Sequence, residues 1–228
     1  MEQYIFLHGL GQTPADWEKV ICNLPVENVL CPNLFEACGR ASYEMLLKQF
    51  EEQFASYEVL HLCGISLGAV LALHYAIKHP GQVKSLVLIA PQYKMPKALL
   101  SIQNVIFRCM PNAAFQSMGV KKKDMIAMSN SMKKINFQQE LQYVSCPVII
   151  LCGKKDKANI KAALSLHTKI KQARIFLVEN AGHELNVEQP EKTAELIMSF
   201  YKALAIKPKI CYIINTKKEQ LPTRGLAN

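Results

Sequence analysis

The stretch Val59–Ala69, VLHLCGISLGA, decides the fold. It opens as an apolar run of strand length and leads directly into AVLALHYAIKH, a helix-forming segment. Between the two lies Gly64-Ile65-Ser66-Leu67-Gly68, a serine with glycines two positions away on each side. Passing from strand to helix in so few residues forces the serine into a strained backbone conformation. It also brings helix and strand so close that the flanking positions must be glycine or small. The turn lifts the Ser66 hydroxyl off the sheet and sets it beside a helix N-terminus. Glycine and serine are common, so the pentapeptide alone says little; its setting between strand and helix carries the signal.

Outward from this turn, short β-rich runs alternate with helix-length segments. QYIFLH precedes TPADWEKVICNL, NVLC precedes SYEMLLKQFEEQF, and SLVLIA follows the Ser66 helix. The pattern resumes with PVIILC, ANIKAALSLHTKIK, ARIFLV and PEKTAELIMSFYKAL. Strands that are continuous apolar runs, each followed by an amphipathic helix, indicate a parallel sheet covered on both faces. The expected fold is α/β: a three-layer α/β/α sandwich with a mainly parallel sheet of about six strands. One domain over residues 1–205 accounts for it. From about 91 to 145 the alternation is broken by two or three helical stretches, in which Met125, Met128, Met132 and Ile135 recur on one helical face. This segment is expected to be a helical lid inserted between two strands. Residues 206–228 are expected to form a basic C-terminal extension.

A serine hydroxyl is a weak nucleophile; it needs a base, and the base needs a third group to orient it. The candidates follow in chain order: Ser66, then Asp156 in CGKKD after PVIILC, then His183 in NAGHELNVEQP after ARIFLV. All three fall at carboxyl ends of strands, where sites gather in a parallel sheet. His61 reads as a packed strand residue, His74 and His167 as helical, and His79 as closing a helix. Glu179 and Glu184 are reserve acids. Attack on an acyl carbon builds an oxyanion, for which the backbone N–H groups of Leu67 and of Leu10, in the glycine-rich loop His8–Gln12, are the candidate donors. His8 itself reads as a turn-stabilising residue.

The net charge of +9 is unevenly spread. Residues 91–145 hold eight Lys or Arg against two acids, and residues 206–228 hold five against one, leaving the remainder near neutral. No nucleic-acid recognition motif accompanies the charge, and nucleic acid is not an expected partner. The beginning, MEQYIFLHG, has neither the charge nor the apolar length of a signal peptide or membrane span, so no membrane association is expected. Eight cysteines at irregular spacings, without a CxxC pair, read as reduced apolar residues rather than metal ligands. The expectation is a cytoplasmic protein with no metal and no cofactor.

Together HGLGQTPADW, GISLGA, SLVLIAP, CGKKD and AGHELNVEQPE resemble the α/β-hydrolase superfamily, and its lidded esterase, thioesterase and carbon–carbon-bond hydrolase branch above all. The resemblance spans about residues 3 to 205. It implies Ser66 as nucleophile, His183 as base, Asp156 as orienting acid, and Leu10 and Leu67 as the oxyanion hole. Relatives begin with two further strands, so the sheet is expected to lack the first two. The loop Cys31–Gly39 departs from the pattern common among relatives, so their substrates do not transfer. Phe35, Phe107, Met125, Met128 and Met132 are the expected substrate-binding wall, an adaptable apolar surface for an acyl chain or ring. Lys121–Lys123, Lys133, Lys134 and Arg108 read first as a solvated face, and alternatively as an attraction for an anionic substrate. The expected reaction is hydrolysis of a small ester or thioester through an acyl-enzyme. Alternatives are a carbon–carbon bond hydrolase or lyase on the same triad and a non-catalytic ligand-binding protein. Oligomeric state is not legible.

Overall fold

The computed structural model describes residues 2–35, 42–116 and 120–205. Its strands are β1 (Glu2–Leu7), β2 (Val29–Leu30), β3 (Val59–Ile65), β4 (Val83–Ile89), β5 (Val148–Gly153) and β6 (Ala173–Val178). They form one six-stranded sheet in the order β2-β1-β3-β4-β5-β6, parallel at every pairing. The expected runs coincide with the observed strands; the continuously apolar ones, β3, β4 and β5, lie in the interior of the sheet, and β2 and β6 form its edges.

Alternation along the strands builds the layers. Leu86 and Leu88 of β4, with Val148 and Ile150 of β5, face a core shared with α2 (Tyr43–Phe54), α3 (Leu67–Lys78) and α7 (Ile160–Lys169). The intervening Val87, Ile89, Ile149 and Leu151 face the other way, onto α1 (Glu18–Ile21) and α9 (Pro190–Ala205). A side-chain period of two divides one apolar run between two cores. Each buried Leu, Ile or Val contributes about 1.5–3 kcal/mol relative to exposure. The six cysteines among the described residues are free thiols, and burial pushes Cys31, Cys146 and Cys152 up to about 12.

Between β4 and β5 stand α4 (Lys97–Cys109), α5 (Asn112–Gln116) and α6 (Lys122–Met132). The neck of this insertion is closed by an antiparallel bridge of Lys94 with Asn136. Hydrogen bonds from Met95 N–H to the Ile135 carbonyl (3.0 Å) and from Phe137 N–H to the Tyr93 carbonyl (2.7 Å) flank the bridge. The methionine face of α6 turns inward. Met128 and Met132 join the core under α3, and Met125 packs with Phe115 and Val120, Phe107 lying against them. The extension 206–228 and the part of the Cys31–Gly39 loop after Phe35 lie outside the described residues.

Candidate active site

The Ser66 turn has the strain its sequence calls for. Ser66 sits at φ 53°, ψ −113° as the residue before α3, a region costing about 1–3 kcal/mol for a non-glycine residue. The glycines beside it are required by contact. A Cβ on Gly64 would stand 2.3 Å from the Gly68 carbonyl carbon and oxygen, and one on Gly68 would stand 2.1 Å from the Leu7 carbonyl oxygen. Helix α3 therefore meets β3 at Gly64 and β1 at Leu7 in close contact around the serine, whose N–H is held by the Ile89 carbonyl at 3.0 Å.

Asp156 and His183 come together from the ends of β5 and β6. His183 Nδ1 lies 2.8 Å from Asp156 Oδ2, the imidazole N–H donating to the carboxylate. The loops carrying them are packed so tightly that a Cβ on Gly153 would fall 2.1 Å from the Gly182 carbonyl oxygen, and Lys155 N–H donates to the Ala181 carbonyl at 2.9 Å. Asp156 is buried. Burial by itself would raise its pKa, but hydrogen bonds from His183 and Asn159 outweigh that and hold the carboxyl below its usual 3.8. With Nδ1 committed to Asp156, Nε2 is the ring nitrogen left to exchange a proton with a substrate or nucleophile.

Asn159 was not singled out in the sequence. Its amide Nδ2 donates to both Asp156 oxygens, at 2.9 and 2.8 Å, and also stands 3.1 Å from His183 Nδ1. Two donors cannot bond each other, so the last distance is a close approach of two groups sharing one carboxylate. The amide orientation is fixed from behind, where Gln92 Nε2 donates to Asn159 Oδ1 at 2.8 Å. Glu188 is a second unforeseen member. Its carboxylate accepts from Gly182 N–H at 2.6 Å and from Glu184 N–H at 3.0 Å, bracketing His183 in the chain. The reserve acids are elsewhere engaged or open: Glu179 pairs with Lys154, and Glu184 is exposed.

The loop after β1 closes the remaining side. Gly9 N–H donates to Gln12 Oε1 at 3.0 Å, and Gln12 Nε2 reaches Asn186 Oδ1 at 3.1 Å, tying this loop to the histidine loop. A Cβ on Gly9 would stand 3.5 Å from Ser66 Cβ. His8 is fully buried as a brace. Its Nδ1 lies 2.9 Å from the Gly9 carbonyl and its Nε2 accepts from Leu34 N–H at 3.0 Å, and burial lowers its pKa. The first N–H groups of α3, Leu67 among them, have no carbonyl partner within the helix. Leu10 and Leu67 both border the cavity that holds Ser66 and His183.

That cavity has a volume of about 430 Å³ and is lined by Ser66, Asp156, Asn159 and His183, among others. Its apolar wall differs from the one expected. Met132 lines it, whereas Phe35, Phe107, Met125 and Met128 do not. Leu99, Leu100, Ile102 and Ile106 of α4, with Met95 and Val70, take their place. The reason is periodicity: the regular methionine face of α6 is the face that packs inward, so it is spent on the core.

The six-stranded parallel sheet with its flanking helices has counterparts among solved structures. The enol-lactonase from Burkholderia xenovorans superposes with a TM-score of 0.78 at 14% identity, covering 89% of this chain and 92% of that one. MenH from S. aureus superposes with a TM-score of 0.76 at 16% identity, covering 90% and 94%. The chain is an α/β-hydrolase-fold protein. Residues 41–140 of this hydrolase-fold chain match the family model described as Serine aminopeptidase, S33. By sequence it is 24% identical to Homo sapiens monoacylglycerol lipase ABHD6 over 249 residues, which cover 86% of this chain and 74% of the lipase.

His61, His74 and His79 have structural places. His61 stacks on Tyr4 at 4.5 Å between ring centroids and lies 2.7 Å from Ser85 Oγ. His74 stacks on Tyr43, and burial lowers it to about 4. His79 Nε2 is 3.0 Å from Glu51 Oε1.

Proposed function

We propose that this protein is a serine hydrolase that cleaves carboxylic esters through an acyl-enzyme. The observation that carries the reading is the 2.8 Å His183–Asp156 bond lining the same cavity as a serine held at positive φ. In the proposed cycle Ser66 Oγ attacks the ester carbonyl carbon while its proton passes to His183 Nε2. The imidazolium is stabilised by Asp156, itself kept ionised by Asn159. The oxyanion takes hydrogen bonds from Leu10 and Leu67 N–H. Collapse breaks the carbon–oxygen bond of the leaving group, which takes the proton from His183. Water then repeats the sequence on the acyl-serine, with His183 first as base and then as acid. The names of the relatives, a monoacylglycerol lipase and an enol-lactonase, support ester bonds as the target. The cavity walls of Leu, Ile and Met suit an apolar acyl group.

The test is a graded series of p-nitrophenyl esters and acyl thioesters, with fluorophosphonate labelling, on wild type and Ser66→Ala. Wild type is expected to label and to turn over esters, and the variant to lose labelling and about a thousandfold or more in kcat. Equal inactivity of both proteins on every substrate refutes the reading. Turnover of thioesters in preference to esters would move the substrate class but leave the triad.

A further inference from the structure

Helix α4 is amphipathic the wrong way round for a soluble surface helix. Leu99 is 43% exposed, Ile102 59%, Val105 56% and Ile106 54%, so four large aliphatic side chains stand in water on one helix. Asn104, by contrast, is buried at 3% and faces inward. Ordinarily the apolar stripe packs inward and the polar face is solvated; large contiguous apolar patches on soluble proteins mark interaction surfaces.

Two polar anchors fix this orientation. Asn104 Nδ2 donates to Asn130 Oδ1 of α6 at 2.8 Å, on the inward side. Lys122 Nζ donates to the Arg108 and Met110 carbonyls at 2.6 and 2.7 Å, holding the C-terminal end of α4 by its unpaired carbonyls. Rotating the isoleucines inward would break the first bond and turn Asn104 out of its buried position.

The stripe also has edges of different character. At 100° per residue, Ala98, Ile102, Val105 and Cys109 form the centre of the solvent face. Leu99, Ile102 and Ile106 continue from it into the wall of the Ser66 cavity. Lys97 and Arg108, both exposed, fall along the opposite edge. They belong to an insertion with eight cations against two acids. An apolar stripe bordered by cations on one side and opening into a cavity on the other matches an anionic lipid surface. The side chains would enter the acyl region while the cations stay at headgroup level. Among the described residues no helix is long and apolar enough to cross a membrane, so the fit is to a surface and not to a span.

We propose that the exposed face of α4 docks on an anionic lipid bilayer, placing the mouth of the Ser66 cavity against the layer from which an ester-bearing lipid enters. The lipid substrate rests on the ester hydrolase reading above; the docking itself does not. This reverses the sequence expectation of no membrane association.

The test is co-sedimentation of the full chain with vesicles of phosphatidylglycerol and with vesicles of phosphatidylcholine, at low and high salt, beside hydrolysis of a water-soluble p-nitrophenyl ester. Wild type is expected to bind phosphatidylglycerol vesicles at least tenfold better than phosphatidylcholine, and to release with salt. Val105→Glu, on the exposed face but outside the cavity wall, is expected to lower binding at least tenfold. It should leave circular dichroism and soluble-ester turnover as in wild type. Lys97→Glu with Arg108→Glu should weaken binding by about fivefold or more for each charge removed. Failure of wild type to bind either vesicle, or unchanged binding of Val105→Glu, overturns the proposal. So does a dimer in sedimentation velocity that Val105→Glu dissociates, which would give the face to a second copy. Vesicle binding without any ester turnover sinks the hydrolase reading alone, and ester turnover without vesicle binding sinks docking alone.

Discussion

Asn159 offers the most exacting test of how the site is held. Its amide supplies two hydrogen bonds to the Asp156 carboxylate, at 2.9 and 2.8 Å, and its backbone N–H a longer one at 3.3 Å that a substitution would spare. A hydrogen bond to a charged group is worth about 1.5–3 kcal/mol. If that much orienting energy is lost at the transition state, Asn159→Ala should lower kcat about ten- to a hundredfold, at about 1.4 kcal/mol per tenfold. KM should stay within about twofold, because an effect transmitted through Asp156 does not remove ground-state contacts. Asn159→Asp should be worse, since it replaces a donor by a second carboxylate beside the first. Removing the amide leaves burial less opposed, so the Asp156 pKa should rise. The sign follows from linkage: a carboxyl depressed in the folded state contributes stability above its unfolded value, near 3.9, and loses it as pH falls through the folded one. The stability gap between wild type and Asn159→Ala should thus be present at pH 7 and shrink as the solution is taken toward pH 3. Steady-state kinetics on a soluble ester and urea unfolding at several pH values measure both. A kcat within twofold of wild type, or Asn159→Asp outperforming Asn159→Ala, would refute the assigned role.

Other substitutions probe the frame. Gly68→Ala puts a Cβ 2.1 Å from the Leu7 carbonyl oxygen; it should cost more than about 3 kcal/mol or prevent folding. Gly81→Ala, where nothing lies within 4 Å, should change stability by about 1 kcal/mol at most, and thermal melts of the pair check the contrast. Glu188→Gln keeps the shape but weakens two acceptor bonds around His183, and should lower kcat on a soluble ester about tenfold with little change in Tm. His74 titrates near 4 because it is buried, so the unfolded chain binds its proton first and stability should fall as pH drops from about 6.5 toward 4. His74→Gln should flatten that slope in urea titrations at pH 7 and pH 5; an unchanged slope would place the effect in other groups.

What could be read from the chain and what could not divide along the range of the interactions. The Ser66 turn was legible because its constraints are local: a strand, a helix and two glycines within five residues dictate the positive φ and the close approach. The six strands were legible for a similar reason, since a run such as SLVLIA buried on both faces can only be an interior strand. Asn159 was not. It lies three residues after Asp156 at the start of α7, where an asparagine ordinarily caps the helix, and only the Gln92 bond from another strand end turns its amide toward the carboxylate. The Gln12–Asn186 bond spans 174 positions, and nothing in either neighbourhood announces the other.

The insertion shows the opposite failure, a clear signal assigned to the wrong surface. The clean apolar period on α6 suggests a cavity wall, yet a clean period is what a helix needs in order to pack, and Met125 and Met128 are accordingly buried. The wall came from α4, whose sequence KALLSIQNVIFRC scatters aliphatic residues around more than half the helix. Such a helix has more apolar surface than one packing face can absorb. Leu100 covers the interior side, Leu99 and Ile106 reach the cavity, and Val105 is left in water. The residue of apolar area that packing does not use is therefore where an interaction outside the chain has to be sought. On this fold it lies along the mouth of the cavity that holds Ser66.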